Sequence, residues 1–175
     1  MLDLARSVRS ELERNGFRVL MTRSDDSSPS YDDRAAVANA QHDAVFISLH
    51  VASTGAPNTV RAYYEQFAAP FPPAAAPPAP TSLPAWDEAQ RPYVDASHRL
   101  ADLTQTQLAT SFSASPVTST GVPIRGLRSV AAPAIAIEVS SVSVPDPNSL
   151  ATSASPLAGA IVHALQAFRT PAVAN

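Results

Sequence analysis

A length of 175 residues is that of one domain, and a 45% apolar content is enough to build a core. The net charge of −3 excludes binding driven by general attraction to nucleic acid or anionic membranes. With no cysteine in the chain, disulfides and thiolate metal sites are excluded, and any metal must be held by His, Asp or Glu.

The first element predicted is a helix over residues 2–15. Leu4, Val8 and Leu12 repeat at i, i+4 and i+8, with Arg6, Arg9, Glu13 and Arg14 turned away. Asn15-Gly16 ends it. Its opening residues lack the basic start and apolar middle of a signal peptide. A strand is then predicted over Phe17 to Thr22, followed by a polar turn and a helix from Tyr31 to about Ala40, with Asp32 and Asp33 favourable in its first turn. Ala44 to Leu49 is a near-continuous apolar run, as expected of a parallel strand covered on both faces, and it ends in His50. Val60 to Gln66 is a further strand.

Eight of the 17 prolines fall within residues 68–92. Proline removes backbone donors and fixes φ, so this stretch reads as a Pro/Ala-rich surface insertion. Phe71 and Trp86 are its candidates for packing or ligand contact, packing being the simpler role. A helix resumes from about Tyr93 to Thr110, and residues 111–123 read as loop. Ala134 to Ile137 forms a short buried strand ending in Glu138. Asp146-Pro147 can start one helical turn, and Ser155-Pro156 can start a last helix to about Phe168. Helices alternating with apolar strands predict an α/β single-domain sandwich, with a mostly parallel sheet and helices on both faces. No run of about 18 apolar residues exists, so no membrane span is expected.

Ligands of open α/β sheets collect beyond the carboxyl ends of the strands. His50 and Glu138 are the ionisable residues that close two apolar strands here. A neutral imidazole can ligate zinc, and a carboxylate can serve as ligand, base or acid. Each residue taken alone is also compatible with a structural role. His42, His98 and His163 fall at helix ends or within helices and are poor ligand candidates.

Three segments in order narrow the choice. Leu12-Glu13-Arg14-Asn15-Gly16-Phe17-Arg18-Val19-Leu20-Met21-Thr22-Arg23, Asp33-Arg34-Ala35-Ala36-Val37-Ala38-Asn39 and Asp43-Ala44-Val45-Phe46-Ile47-Ser48-Leu49-His50 resemble the zinc-dependent N-acetylmuramoyl-L-alanine amidase family. Gly121-Val122-Pro123-Ile124-Arg125 and Pro133 to Glu138 resemble its approach to a catalytic glutamate. The resemblance implies hydrolysis of the amide joining N-acetylmuramic acid to L-alanine in peptidoglycan. It implies His50 as a zinc ligand and Glu138 as the proton-transferring carboxylate. Arg34 and Asn39 match family positions with expected scaffold roles, the arginine pairing with a carboxylate. Arg125 is a candidate contact for an anionic group on the peptide stem.

The resemblance also implies an incomplete copy. The family's first strand, its first histidine ligand and its glutamate ligand have no counterpart, so two of the three expected protein ligands of zinc are missing. Asp3, inside the first helix, does not replace them. An upstream extension of the true protein is the preferred explanation; the alternative is a noncatalytic peptidoglycan-binding or regulatory remnant. The expected organisation is an N-terminally truncated amidase-like domain over residues 1–170 and a tail over 171–175. The substrate implies the cell envelope, periplasm or exterior as location. The Val139 to Ser143 stretch departs from the family and puts the surroundings of Glu138 in question.

Overall fold

The computed structural model describes residues 1–52, 55–67, 85–140 and 147–169. Helix α1 (Leu2–Arg14) buries Leu4, Val8 and Leu12, as its periodicity requires. Helix α2 (Tyr31–Asn39) begins with a capping box: Asp33 N–H donates to the Ser30 side chain, and Ser30 N–H donates back to the Asp33 carboxylate. Strands β1 (Phe46–Ala52) and β2 (Val60–Glu65) follow. Two 3₁₀ turns, Trp86–Glu88 and Arg91–Tyr93, lead into α3 (Val94–Ser111). Strand β3 (Thr120–Val122), the one-turn helix α4 (Arg125–Arg128), β4 (Ala134–Ser140) and α5 (Pro147–Arg169) complete the described chain.

One four-stranded sheet runs in the order β1-β4-β2-β3. β1 is parallel to β4 and β2 to β3, while β2 and β4 are antiparallel, so the sheet is mixed with two parallel pairs. Side chains alternate between its faces. Ile135, Ile137, Val139, Val60 and Ala62 pack with α1, α3 and α5. Phe46, Ala134 and Ala136 pack with Ala35 and Ala38 of α2 and Leu127 of α4. Helices therefore cover both faces, as the alternation of elements predicts. Among the described residues no helix is long and apolar enough to cross a membrane.

Several local expectations are corrected. Residues 17–22 form no strand: Phe17 N–H donates to Leu12 O, and no ladder partner lies beside the segment among the described residues. A strand needs a neighbour to take its backbone groups. Residues 120–122, expected as loop, form β3 because β2 offers an edge to pair with. Arg125 starts α4 rather than lying in a loop. The two C-terminal helical pieces are one helix, with Pro156 inside it. A mid-helix proline costs about 3 kcal/mol, which the burial of Leu157, Ile161 and Leu165 outweighs. Phe71, Asp146, most of the Pro/Ala-rich stretch, the tail after residue 170 and residues 141–143 beside Glu138 lie outside the described residues.

Candidate active site

Strands β1 and β4 do not stop at His50 and Glu138. Each runs two residues further, through Val51↔Val139 and Ala52↔Ser140. The two residues are instead a register pair inside the ladder, His50↔Glu138, and β2 adds Arg61↔Glu138 on the other side. A register pair shares a face, so His50, Glu138 and Arg61 form a row across three adjacent strands. The row before it is Ser48, Ala136 and Tyr63. This face is the one covered by α2 and α4 at the Phe46–Ala134 end.

Close contacts tie the rows together. His50 Nε2 and Ser48 Oγ share a hydrogen bond of 2.9 Å. The Tyr63 hydroxyl donates to Glu138 Oε1 at 3.4 Å. Burial pushes the Tyr63 phenol above its ordinary value, the Glu138 charge adds to that, and Arg61 opposes it. Partial burial, and next the Arg34 guanidinium, hold His50 below the usual imidazole range; Glu138 pulls the other way. His50 therefore favours its neutral form, which can accept a proton or ligate a metal. Gly55, at φ 109°, lies against Ser140 and Arg61; a Cβ there would meet Ser140 Oγ at 3.0 Å.

The scaffold behind the rows is polar, and half-buried to fully buried. Asn39 Nδ2 donates to Ser129 O at 2.9 Å, and its Oδ1 accepts from Ala131 N at 2.7 Å, fixing α2 to the approach of β4. This is the scaffold role expected of it. Arg34 departs from expectation. Its Nε donates to Pro29 O at 3.0 Å, and it has no carboxylate partner among the described residues. Gln105, fully buried on α3, accepts from Ala62 N at 2.7 Å and donates to Pro116 O at 2.7 Å, so it holds β2, which carries Arg61 and Tyr63. Glu65, also fully buried, accepts from Ile124 N and from Arg128 Nε and anchors α4.

Of the residues singled out from sequence, the fold brings His50 and Glu138 together. Arg125 is exposed at the start of α4, the helix whose Arg128 reaches Glu65, four positions along β2 from Arg61. That is toward the Ala134 end of β4, away from the row. Trp86 is 51% exposed and donates from Nε1 to Asp32 Oδ1 at 2.8 Å, which pins the later part of the proline-rich stretch to α2. His98 stacks on Tyr64 and pairs with Asp102, while His42 and His163 are exposed elsewhere. Sequence reasoning missed Tyr63 and Arg61. The signal available was alternation: Arg61, Tyr63 and Glu65 are polar where Val60, Ala62 and Tyr64 line the core.

A catalytic zinc normally takes three protein ligands. Among the described residues no group of three His, Cys, Asp or Glu side chains could hold a metal. The row offers one imidazole and one carboxylate, flanked by the guanidiniums of Arg34 and Arg61. These residues do not fit a resident catalytic zinc.

The family model for N-acetylmuramoyl-L-alanine amidase matches residues 1–167. No curated protein matches the chain. Among solved structures, the N-acetylmuramyl-L-alanine amidase Ami1 of Mycobacterium smegmatis is 24% identical, with a TM-score of 0.65 over 95% of this chain and 73% of that one. The CwlD amidase of Clostridioides difficile, solved in complex with the GerS lipoprotein, is 17% identical with a TM-score of 0.68, covering 95% of this chain and 83% of that one. The amidase AmiC2 of Nostoc punctiforme is 17% identical with a TM-score of 0.67, over 95% and 81%. These likenesses establish the fold, and the family model, spanning nearly the whole chain, establishes the kinship: the chain belongs to the N-acetylmuramoyl-L-alanine amidase family.

Proposed function

We propose that this domain serves hydrolysis of the amide between N-acetylmuramic acid and L-alanine in peptidoglycan, with Glu138 as the proton-transferring group. The observation that carries the assignment is the His50↔Glu138 register pair on an open sheet face within the family's fold. Glu138 takes the proton of the attacking water and delivers it to the departing amine. The Tyr63 hydroxyl, in hydrogen-bond contact with Oε1, orients the carboxylate for both transfers. His50, kept neutral, is the donor nitrogen beside it. No step is derived through zinc, because the described residues do not supply its ligand set. A peptidoglycan substrate places the protein in the cell envelope or outside the cell.

The shortage of metal donors favours a second reading, a noncatalytic peptidoglycan-binding domain. Three measurements on the 175-residue chain separate the two: zinc stoichiometry at micromolar metal, release of peptide stems from muropeptides, and co-sedimentation with sacculi. The expectation is little bound zinc and no release. Co-sedimentation without release supports the noncatalytic reading. Stoichiometric zinc with turnover overturns the donor count, and Glu138→Gln should then lower kcat by about 10²- to 10⁴-fold. An unchanged kcat removes Glu138 from the mechanism.

A further inference from the structure

The sheet face carries a third row beyond His50, Glu138 and Arg61. Ala52 is the register partner of Ser140, and Ser140 N–H donates to Thr59 O at 2.8 Å, so Ala52, Ser140 and Thr59 continue the ladder. Alternation puts their side chains on the face that holds Glu138 and Arg61. Neither β4 nor β2 is an edge: β4 lies between β1 and β2, and β2 between β4 and β3. The exposed turn from Gly55 to Asn58 closes over this row. Gly55 has φ 109° and Asn58 has φ 57°. A Cβ built on Gly55 would lie 3.0 Å from Ser140 Oγ and 3.8 Å from a terminal nitrogen of Arg61. Ser140 and Arg61 are therefore neighbours beneath one turn.

Two polar groups of the row are unspent. Thr59 is 1% exposed and Ser140 5%, yet Thr59 Oγ1 and Ser140 Oγ meet no hydrogen-bond partner among the described residues. A hydroxyl offers one donor and two acceptor sites, and leaving them unmet in a buried place is costly. Such groups are uncommon in folded proteins and call for a partner. Arg61 stands half-buried beside them. It faces Glu138 across the ladder and its charge acts on the Tyr63 phenol, but it makes no ion pair at contact distance among the described residues. Its guanidinium presents a planar fork of donors with no acceptor, the match of a carboxylate. Arg34 acts on His50 as well, so the groups around the row carry one more positive than negative charge and attract a further anion in spite of Glu138.

We propose that Arg61, with the hydroxyls of Ser140 and Thr59, seats a carboxylate of the substrate's peptide. The inference rests on the amidase reading, since it takes the amide under attack to lie at Glu138. One row to the next on this face is about 7 Å along the strand. That is the reach of two extended residues, so the carboxylate belongs to the residue that follows L-alanine. Both hydroxyl oxygens are closed to solvent. The anion reaches them when the Gly55–Asn58 turn shifts outward, and the donors idle under the closed turn are then used. The seat sets specificity: a substrate amidated at that residue brings no charge to Arg61 and binds less well.

The test titrates the 175-residue chain with acetyl-alanyl-glutamate amide, whose acetyl–alanine bond stands for the cleaved amide, and with its uncharged glutamine counterpart. NMR follows the Arg61 Nε–H and the backbone amides of Gly55 and Thr59. Saturable shifts of these signals are expected at millimolar peptide. The glutamine peptide should bind about tenfold more weakly, because a charge-assisted hydrogen bond is much stronger than a neutral one. Arg61→Gln should erase the difference between the peptides, and Arg61→Lys should keep part of it, having the charge without the fork. Ser140→Ala should weaken the glutamate peptide and leave the glutamine peptide unchanged. Equal affinity for the two peptides overturns the proposal, and that comparison needs no variant to fold. Absence of binding at millimolar peptide, or shifts confined to other residues, also overturns it. Acetate binding as well as the glutamate peptide would show a general anion site and overturn the assignment to a peptide. The readout is binding, so the amidase reading fails separately: a preference for glutamate without release of stems upholds the seat and counts against hydrolysis alone.

Discussion

Replacing Gln105 with leucine tests whether β2 is held in place from behind. The side chain is 0% exposed and makes two strong bonds, accepting from Ala62 N at 2.7 Å and donating to Pro116 O at 2.7 Å. β3 pairs with β2 only from Tyr63 to Glu65, so Gln105 supplies the partner that Ala62 N–H would otherwise lack. Leucine fills much the same volume but leaves a buried donor and a carbonyl unmet, each costing about 1–3 kcal/mol. A middle value for the two is about 3–4 kcal/mol, and at about 2–4 °C per kcal/mol for a chain of this size the melting temperature should fall by about 6–16 °C. Urea unfolding followed by circular dichroism gives the free energy, and a thermal melt gives the temperature. The amides of Arg61 and Tyr63 should also exchange faster, because they share the loosened strand. A loss below about 1 kcal/mol would mean that water or a shifted loop satisfies both groups, and the claim that Gln105 positions the site strand would fail.

Further outcomes follow from the same geometry. Arg34 is the second cause of the low His50 pKa after burial, so Arg34→Met should raise the imidazole midpoint in an NMR titration. Glu138→Gln removes the opposing influence and should lower it; a shift of the wrong sign in either variant refutes the charge placement. Because His50 is depressed when folded, the unfolded chain takes up its proton first as pH falls through about 6.5, so the residue subtracts stability on acidification. Gly55→Ala places a side chain at φ 109° and within 3.0 Å of Ser140 Oγ, for a loss of about 1–3 kcal/mol; a urea midpoint within error of the parent would rule the strain out. Pro156→Ala should stabilise by about 1–3 kcal/mol by restoring an interior helical hydrogen bond, whereas destabilisation would show that Pro156 starts a separate helix.

Helices α1, α2 and α3 could be read from sequence to within about two residues, because each carries its own evidence: an apolar stripe, an acidic first turn or a glycine stop. Strands depend on partners that the local sequence does not name. Phe17 to Thr22 has the composition of a strand and lacks a neighbour, while Thr120–Val122 has little strand character and gains one from β2. The same limit applied to the site. His50 and Glu138 could be singled out as polar residues after apolar runs, although both strands continue past them. Their opposition in register could not be inferred, nor could the arrival of Arg61 and Tyr63 from an antiparallel strand. Those facts belong to pairing at separations of 75 to 90 residues along the chain, and hydrophobic pattern fixes the face of a strand without fixing its partner.

Charge on the sheet face favours the proposed proton-transfer role of the row over metal binding. A divalent zinc is held by deprotonated donors, and carboxylates among them offset its charge. Here one carboxylate, Glu138, faces Arg61 across the β2–β4 pair, and His50 feels the Arg34 charge from α2. With His50 neutral, the four groups sum to about one positive charge before any ion enters. A dication added to that balance meets repulsion from two guanidiniums and attraction from one carboxylate, and only two donors are there to replace its water. Proton transfer makes no such demand. A carboxylate that accepts a hydrogen bond from Tyr63 and sits beside a neutral imidazole can take up and release a proton with this surrounding charge, and the positive balance favours the oxyanion that develops when water attacks an amide carbonyl. On the proposed function, the described face supplies the acid–base half of the site, and any metal half would draw its donors from outside this set of residues.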